Sequence, residues 1–185
     1  MVSSAIIKDL HQLQLPRASG HYDGLGIQGG ITWEYTLRFV RTLRLKPIHY
    51  CIQAALETVM CAACWPAQRI HDINNQFSPI CPRCFNGPET STHTFWECKA
   101  NEEIEDEAVT STQSLVPTAI LRASELPCLW LRGLLPESFL DTDAIPPPPD
   151  LPNIQFIGNP KLKLEKWNLL WGWVWRAVYI ASVHT

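Results

Sequence analysis

The sequence predicts a mainly α-helical fold, and three observations predict it. Apolar residues recur at three- and four-residue spacing through 33–64. The same pattern returns in shorter pieces at 67–73 and 115–135, cut by Pro and Gly. Four Cys and His residues fall within 81–98, close enough to staple a small helical domain. On this reading residues 1–32 are a poorly patterned N-terminal segment. Residues 33–140 form the helical domain, with a knuckle at 78–100. A Pro-rich linker (141–160) and a Trp-rich apolar helix (161–185) follow.

Composition sets the limits. Of the 185 residues, 46% are apolar and 18% charged, a globular balance that excludes wholesale disorder. The net charge is -3 and the pI about 6.0, which excludes a strongly basic nucleic-acid-coating protein. The charge is uneven. Residues 1–99 hold nine Lys/Arg and seven Asp/Glu, and residues 100–185 hold six and eleven. A polyanion would therefore meet the first half.

In chain order, Gly24-Leu25-Gly26-Ile27-Gln28-Gly29-Gly30 matches the spacing of a dinucleotide-binding turn. That turn needs an apolar strand before it and an acid about 20 residues after it. Here Arg17 to Asp23 is turn-like, and Arg41, Arg44 and Lys46 stand where the acid belongs. A flexible loop is the expectation. Residues 33–45 read as a helix with Leu37, Val40 and Leu43 on one face and an Arg38, Arg41, Arg44 stripe beside it. The stripe is either a solvated face or a phosphate-facing one.

Residues 49–64 form a second helical pattern, with Ile52, Leu56, Val59, Met60 and Ala63 on one side. A short helix from Ala67 follows Pro66, a residue suited to a first turn. The acidic run 101–107 reads as a solvated loop or helix start. In 115–135, Pro127 separates two short helices and Gly133 closes the second. Leu115, Ile120, Leu121, Leu129, Trp130 and Leu134 are the core candidates.

The run Pro146 to Pro149 favours an extended linker. In 161–183, Trp167, Trp171, Trp173 and Trp175 lie in an apolar stretch with Lys166 and Arg176 only ten positions apart. A membrane span needs about 20 apolar residues, so a helix that docks on the domain or on a protein partner is expected instead.

Seven cysteines, an odd number, and no signal-like N-terminus argue against a disulfide framework. The expectation is an intracellular protein, nuclear or cytoplasmic, with reduced thiols. Such thiols point to metal or to buried Cys. The run Cys81-Pro82-Arg83-Cys84 followed by His93 and Cys98 has the spacing C-x2-C-x8-H-x4-C. Two thiolates two residues apart can grip one ion from a tight turn. Thr90 or Ser91 can cap a short helix carrying His93, and Cys98 closes the set from its end. Phe95 and Trp96 can shield the site. Three Cys and one His suit one tetrahedral Zn2+, and a full tetrahedron makes the site structural rather than catalytic. A rival set, Cys61, Cys64, Cys81 and Cys84, has zinc-ribbon spacing. It leaves His93 and Cys98 idle, and Cys61-Ala62-Ala63-Cys64 sits in a helical pattern. No P-loop, H-E-x-x-H or catalytic triad order is present.

Over residues 65–98 the chain resembles the zinc-binding region of non-LTR (LINE-type) retrotransposon reverse transcriptases. The likeness rests on Gln68-Arg69-Ile70-His71, Cys81-Pro82-Arg83-Cys84, Glu89-Thr90, His93, Phe95-Trp96 and Cys98, about a third of the chain with its preceding helix. The resemblance implies a zinc module that lies downstream of a polymerase palm and binds RNA or DNA as an accessory. The Tyr-x-Asp-Asp polymerase motif and ribonuclease H carboxylates are missing, so no catalysis of its own is expected. The ligand roles carry over to Cys81, Cys84, His93 and Cys98. Nucleic-acid contacts are chosen from charge and position alone: Arg38, Arg41, Arg44, Arg69, Arg83 and Lys99.

Overall fold

The computed structural model describes residues 10, 13–32, 40 and 50–138. The helix expected at 33–45, the Pro linker and the Trp-rich segment lie outside the described residues, Val40 apart. The described residues are mostly helical and form no extended strand. Two isolated antiparallel bridges, Ile31 with Pro136 and Ile80 with Pro88, are their only β pairing. Among them no helix is long and apolar enough to cross a membrane.

Helix α1 covers 13–19. Helix α2, Tyr50–Met60, buries Leu56 and Val59. It ends four residues earlier than the apolar pattern suggests. Ala62 adopts a left-handed φ of 54°, and the amides of Ala62 and Ala63 turn back to the carbonyls of Val59 and Thr58. This is a Schellman-type stop with Ala in the place usually held by Gly. Ala63, expected on the buried face, is consequently exposed.

Two arginines complete that helix end. Arg132 donates through Nε and Nη2 to the Met60 carbonyl at 2.9 and 2.8 Å. Arg69 donates through Nη1 to the carbonyls of Ala62 and Cys64 at 2.7 and 2.9 Å. The last carbonyls of a helix lack intrahelical donors and carry partial negative charge, so cations settle there.

Helix α3, Ala67–Ile73, starts directly after Pro66, which serves as its N-cap. Helices α4 (Glu107–Thr110), α5 (Val116–Arg122) and α6 (Pro127–Trp130) build the far wall of the core. Pro127 opens α6, and Gly133 at φ 65° ends the turn after it. Leu115, Leu129, Trp130 and Leu134 are buried as expected. Ile120 and Leu121 are not: they are 41% and 73% exposed. The buried residues here are Leu115, Ala119 and Ala123, spaced by four along one face. The next two positions after Ala119 turn about 100° and 200° away from it.

The glycine-rich segment differs from the flexible loop expected of it. Amides of Gly24, Ile27 and Gly30 donate to carbonyls three residues back, making three successive turns. Ile27 and Ile31 pack with Cys128 and Leu134 in a second, smaller cluster. The Cys128 amide donates to Leu25, Thr32 to Leu135 and Glu137 to Gly30, so the segment runs along 128–137. Gly26 is needed there. Its φ is 108°, and a Cβ would come within 2.6 Å of Leu126 and 2.7 Å of the Cys128 sulfur.

Candidate metal centre

The knuckle begins with a tight reversal. The Cys81 amide donates to the Gly87 carbonyl at 2.8 Å, and the Phe85 amide donates to Cys81 at 3.0 Å. Phe85 takes a left-handed φ of 54° and Gly87 a φ of 149°, which turn the chain between Cys84 and Pro88. The bridge from Ile80 to Pro88 closes the loop. This folding brings the Cys81 and Cys84 side chains to one side.

Thr90 then caps the next turn, as the sequence suggests. Its Oγ1 accepts from the His93 amide at 3.0 Å, and its carbonyl accepts from Thr94. The turn itself, His93–Glu97, is a π-helix rather than an α-helix. The Cys98 amide reaches the His93 carbonyl at 2.8 Å, five residues back. Thr94 is left with a carbonyl at the end of this short turn. Arg83 donates to it at 3.2 Å and buried Asn101 at 3.1 Å.

Phe95 and Trp96 are buried, but in the main core rather than merely over the ligands. Trp96 packs edge-on against Trp130, with ring centroids 5.8 Å apart, and its Nε1 donates to the Trp130 carbonyl at 2.9 Å. The aromatic pair therefore anchors the ligand-bearing turn to α6.

The result is one cluster. Cys81, Cys84, His93 and Cys98 place their ligand atoms within 4.8 Å of one another and can hold one metal ion. Cys81 Sγ and Cys98 Sγ are 3.8 Å apart, and Cys84 Sγ lies 3.2 Å from His93 Nε2. A tetrahedron with Zn–S arms of about 2.3 Å has S–S edges of about 3.8 Å, and an S–N edge of about 3.5 Å. The first distance fits as it stands, and the second needs an opening of a few tenths of an ångström. Tetrahedral coordination by soft donors is thus compatible with the side chains as placed.

The surroundings act on the thiols in opposite directions. The Asn86 backbone amide holds the Cys84 thiol below its ordinary pKa. Burial pushes Cys98 up to about 12. Such a thiol ionises when a cation binds it directly. The Glu97 carboxylate stands 3.9 Å from His93 Nδ1. That is too long for a hydrogen bond, yet it favours the proton on Nδ1 and leaves Nε2 for a metal.

Glu89 is the residue whose part sequence reasoning missed. It is buried, and its Oε2 accepts from the Ala67 amide at 2.8 Å, while its backbone carbonyl accepts from Gln68. It thereby caps α3 from 22 positions away, with Oε1 3.8 Å from Cys81 Sγ. No local pattern signals a cap at such a distance. Glu97 was findable, since it stands four residues after His93.

The rival ribbon does not assemble. Cys61 is exposed and Cys64 half-buried, and neither belongs to the cluster. Burial pushes the Cys64 thiol up. Of the cationic candidates, Arg69 and Arg83 bond to backbone carbonyls of this chain, and Lys99 is exposed beside Cys98. Arg38, Arg41 and Arg44 lie outside the described residues. No protein-family model, curated protein or solved structure matches this chain.

Proposed function

We propose that this chain is a zinc-stapled module of the LINE-type reverse-transcriptase kind, giving accessory nucleic-acid binding in a retroelement-derived protein. The observation that carries the reading is the convergence of Cys81, Cys84, His93 and Cys98, in that chain order, on one point. The donor set and its spacing select Zn2+ over harder cations, which prefer oxygen. Four protein ligands keep no position for a substrate, so the ion's part is structural, and the chain performs no catalysis. Lys99 and the Arg38, Arg41, Arg44 stripe supply the phosphate contacts.

A protein-interaction module is the second reading, with the Trp-rich segment or the Pro run meeting the partner. The commitment of Arg69 and Arg83 to internal carbonyls favours it, as does the exposure of Ile73, Phe77 and Phe85 around the knuckle.

Metal analysis of the purified chain tests the zinc. One zinc per chain is expected, lost in Cys98→Ser and kept in Cys61→Ser. Zinc retained in Cys98→Ser overturns the ligand set. A salt titration with a labelled oligonucleotide separates the two functions. Phosphate contacts give an affinity that falls steeply with salt, whereas an apolar protein-docking surface gives no oligonucleotide binding to titrate.

A further inference from the structure

Between the glycine-rich segment and the start of α3, the Arg69 guanidinium stacks against two aromatic rings. The Arg69 guanidinium carbon lies 3.7 Å from the Tyr22 ring centroid and 4.2 Å from that of Trp65. Each ring gives one face to the cation, yet Tyr22 remains 48% exposed and Trp65 53% exposed. The guanidinium is fixed by its Nη1, which donates to the neutral carbonyls of Ala62 and Cys64. No carboxylate lies within ion-pairing distance of it among the described residues. The stack therefore combines two half-open aromatic rings with one positive charge that has no ion-pair partner among the described residues.

We infer that Tyr22, Arg69 and Trp65 form a stacking platform for the unpaired bases of a single-stranded nucleic acid. The inference rests on the nucleic-acid reading above and names the kind of strand. Aromatic rings and guanidinium planes are the surfaces on which proteins stack splayed bases, and every base offers a π face. A duplex keeps its bases stacked on each other and has none to spare. The guanidinium, tied to the Ala62 and Cys64 carbonyls, orients the rings rather than serving as a free phosphate contact. Asp23, adjacent to Tyr22 and bonded to Ser91 at 2.8 Å, places negative charge nearby. Stacking then carries more of the affinity than charge does, and the salt slope contributed by this site is shallow.

The test uses the full chain, zinc-loaded, with a fluorescent 12-nucleotide oligouridine carrying 5-iodouracil. The expected result is binding weakened about 10-fold in Trp65→Leu and in Tyr22→Leu, with photo-crosslinks in the unmutated chain mapping to Trp65 or Tyr22. Zinc content identifies any variant that fails to fold, and the crosslink position in the unmutated chain then decides. Binding that survives both substitutions, with crosslinks elsewhere, overturns the platform and leaves the nucleic-acid reading standing. Equal affinity for the matching duplex also overturns it. Absence of any oligonucleotide binding at low salt overturns both readings.

Discussion

The Cys98 amide hydrogen-bonds to the His93 carbonyl at 2.8 Å, and this five-residue closure brings the last two ligands together. On an α-helix, residues five apart point about 140° away from each other. A His-x4-Cys pair on such a helix would split between two faces. The π turn adds one residue to the loop of the helix and returns Cys98 to the side of His93. Single π turns are frequent where a helix has to place a functional group. Here the distortion is held by Thr90 at its start and by Phe95 and Trp96 in the core.

The anchoring role of Trp96 gives a first prediction. Trp96→Phe keeps most of the ring but removes the Nε1 bond to Trp130. A loss of about 1 to 3 kcal/mol in folding stability is expected. Urea unfolding of the zinc-loaded variant measures it, and a change under about 0.5 kcal/mol would show that the bond contributes little.

Glu89 ties α3 to the knuckle. Glu89→Ala deletes the cap on the Ala67 amide, with an expected cost of about 1 kcal/mol, whereas Glu89→Gln keeps an acceptor oxygen and costs less. The ordering of the two variants in thermal melting is the check. Equal stability for Ala and Gln would refute the capping role.

Thiol chemistry separates the cysteines. Cys61 is exposed, while burial raises Cys128 to about 12. At pH 8 a thiol with that pKa is ionised only to about one part in ten thousand, and the thiolate is the nucleophile. Iodoacetamide should label Cys61 quickly and leave Cys128 untouched until the chain unfolds. A chelator should add Cys84, the clustered thiol held below its ordinary pKa, to the labelled set, read by peptide mass mapping. Labelling of Cys84 at the same rate with and without chelator would count against metal binding.

Two neighbouring glycines should respond in opposite ways. Gly26→Ala forces a Cβ against Leu126 and Cys128 at a left-handed φ, at a cost of about 1 to 3 kcal/mol. Gly29→Ala meets nothing within 4 Å, and its φ is ordinary for an L-residue. It should be neutral or stabilising by up to about 1 kcal/mol. Comparable destabilisation at both positions would contradict the packed path of the loop along 128–137.

The ligand cluster was legible in the sequence because its chemistry is local. Cys81, Cys84, His93 and Cys98 lie within one short stretch, and their residue types and spacing mark a cluster that can hold one metal ion. Thr90 as a cap and Pro127 as the break between two short helices were legible for the same reason. Cys61 and Cys64 had an equally readable spacing, and only their positions in space removed them from the site.

The remaining features depend on contacts between distant parts of the chain. Glu89 caps a helix 22 positions away, Arg132 reaches Met60 across 72, and Ser91 bonds Asp23 across 68. No periodicity records such partners. The glycine-rich segment looked flexible because Gly permits many conformations. It is held because Leu126 and Cys128 approach too closely for any Cβ. The sequence by itself determined the helical character and the candidate ligands. The tertiary structure decided which faces are buried, why the last turn is a π-helix, and which arginines are already occupied. Residue type and spacing are properties of a segment, whereas burial and capping exist only once distant segments meet.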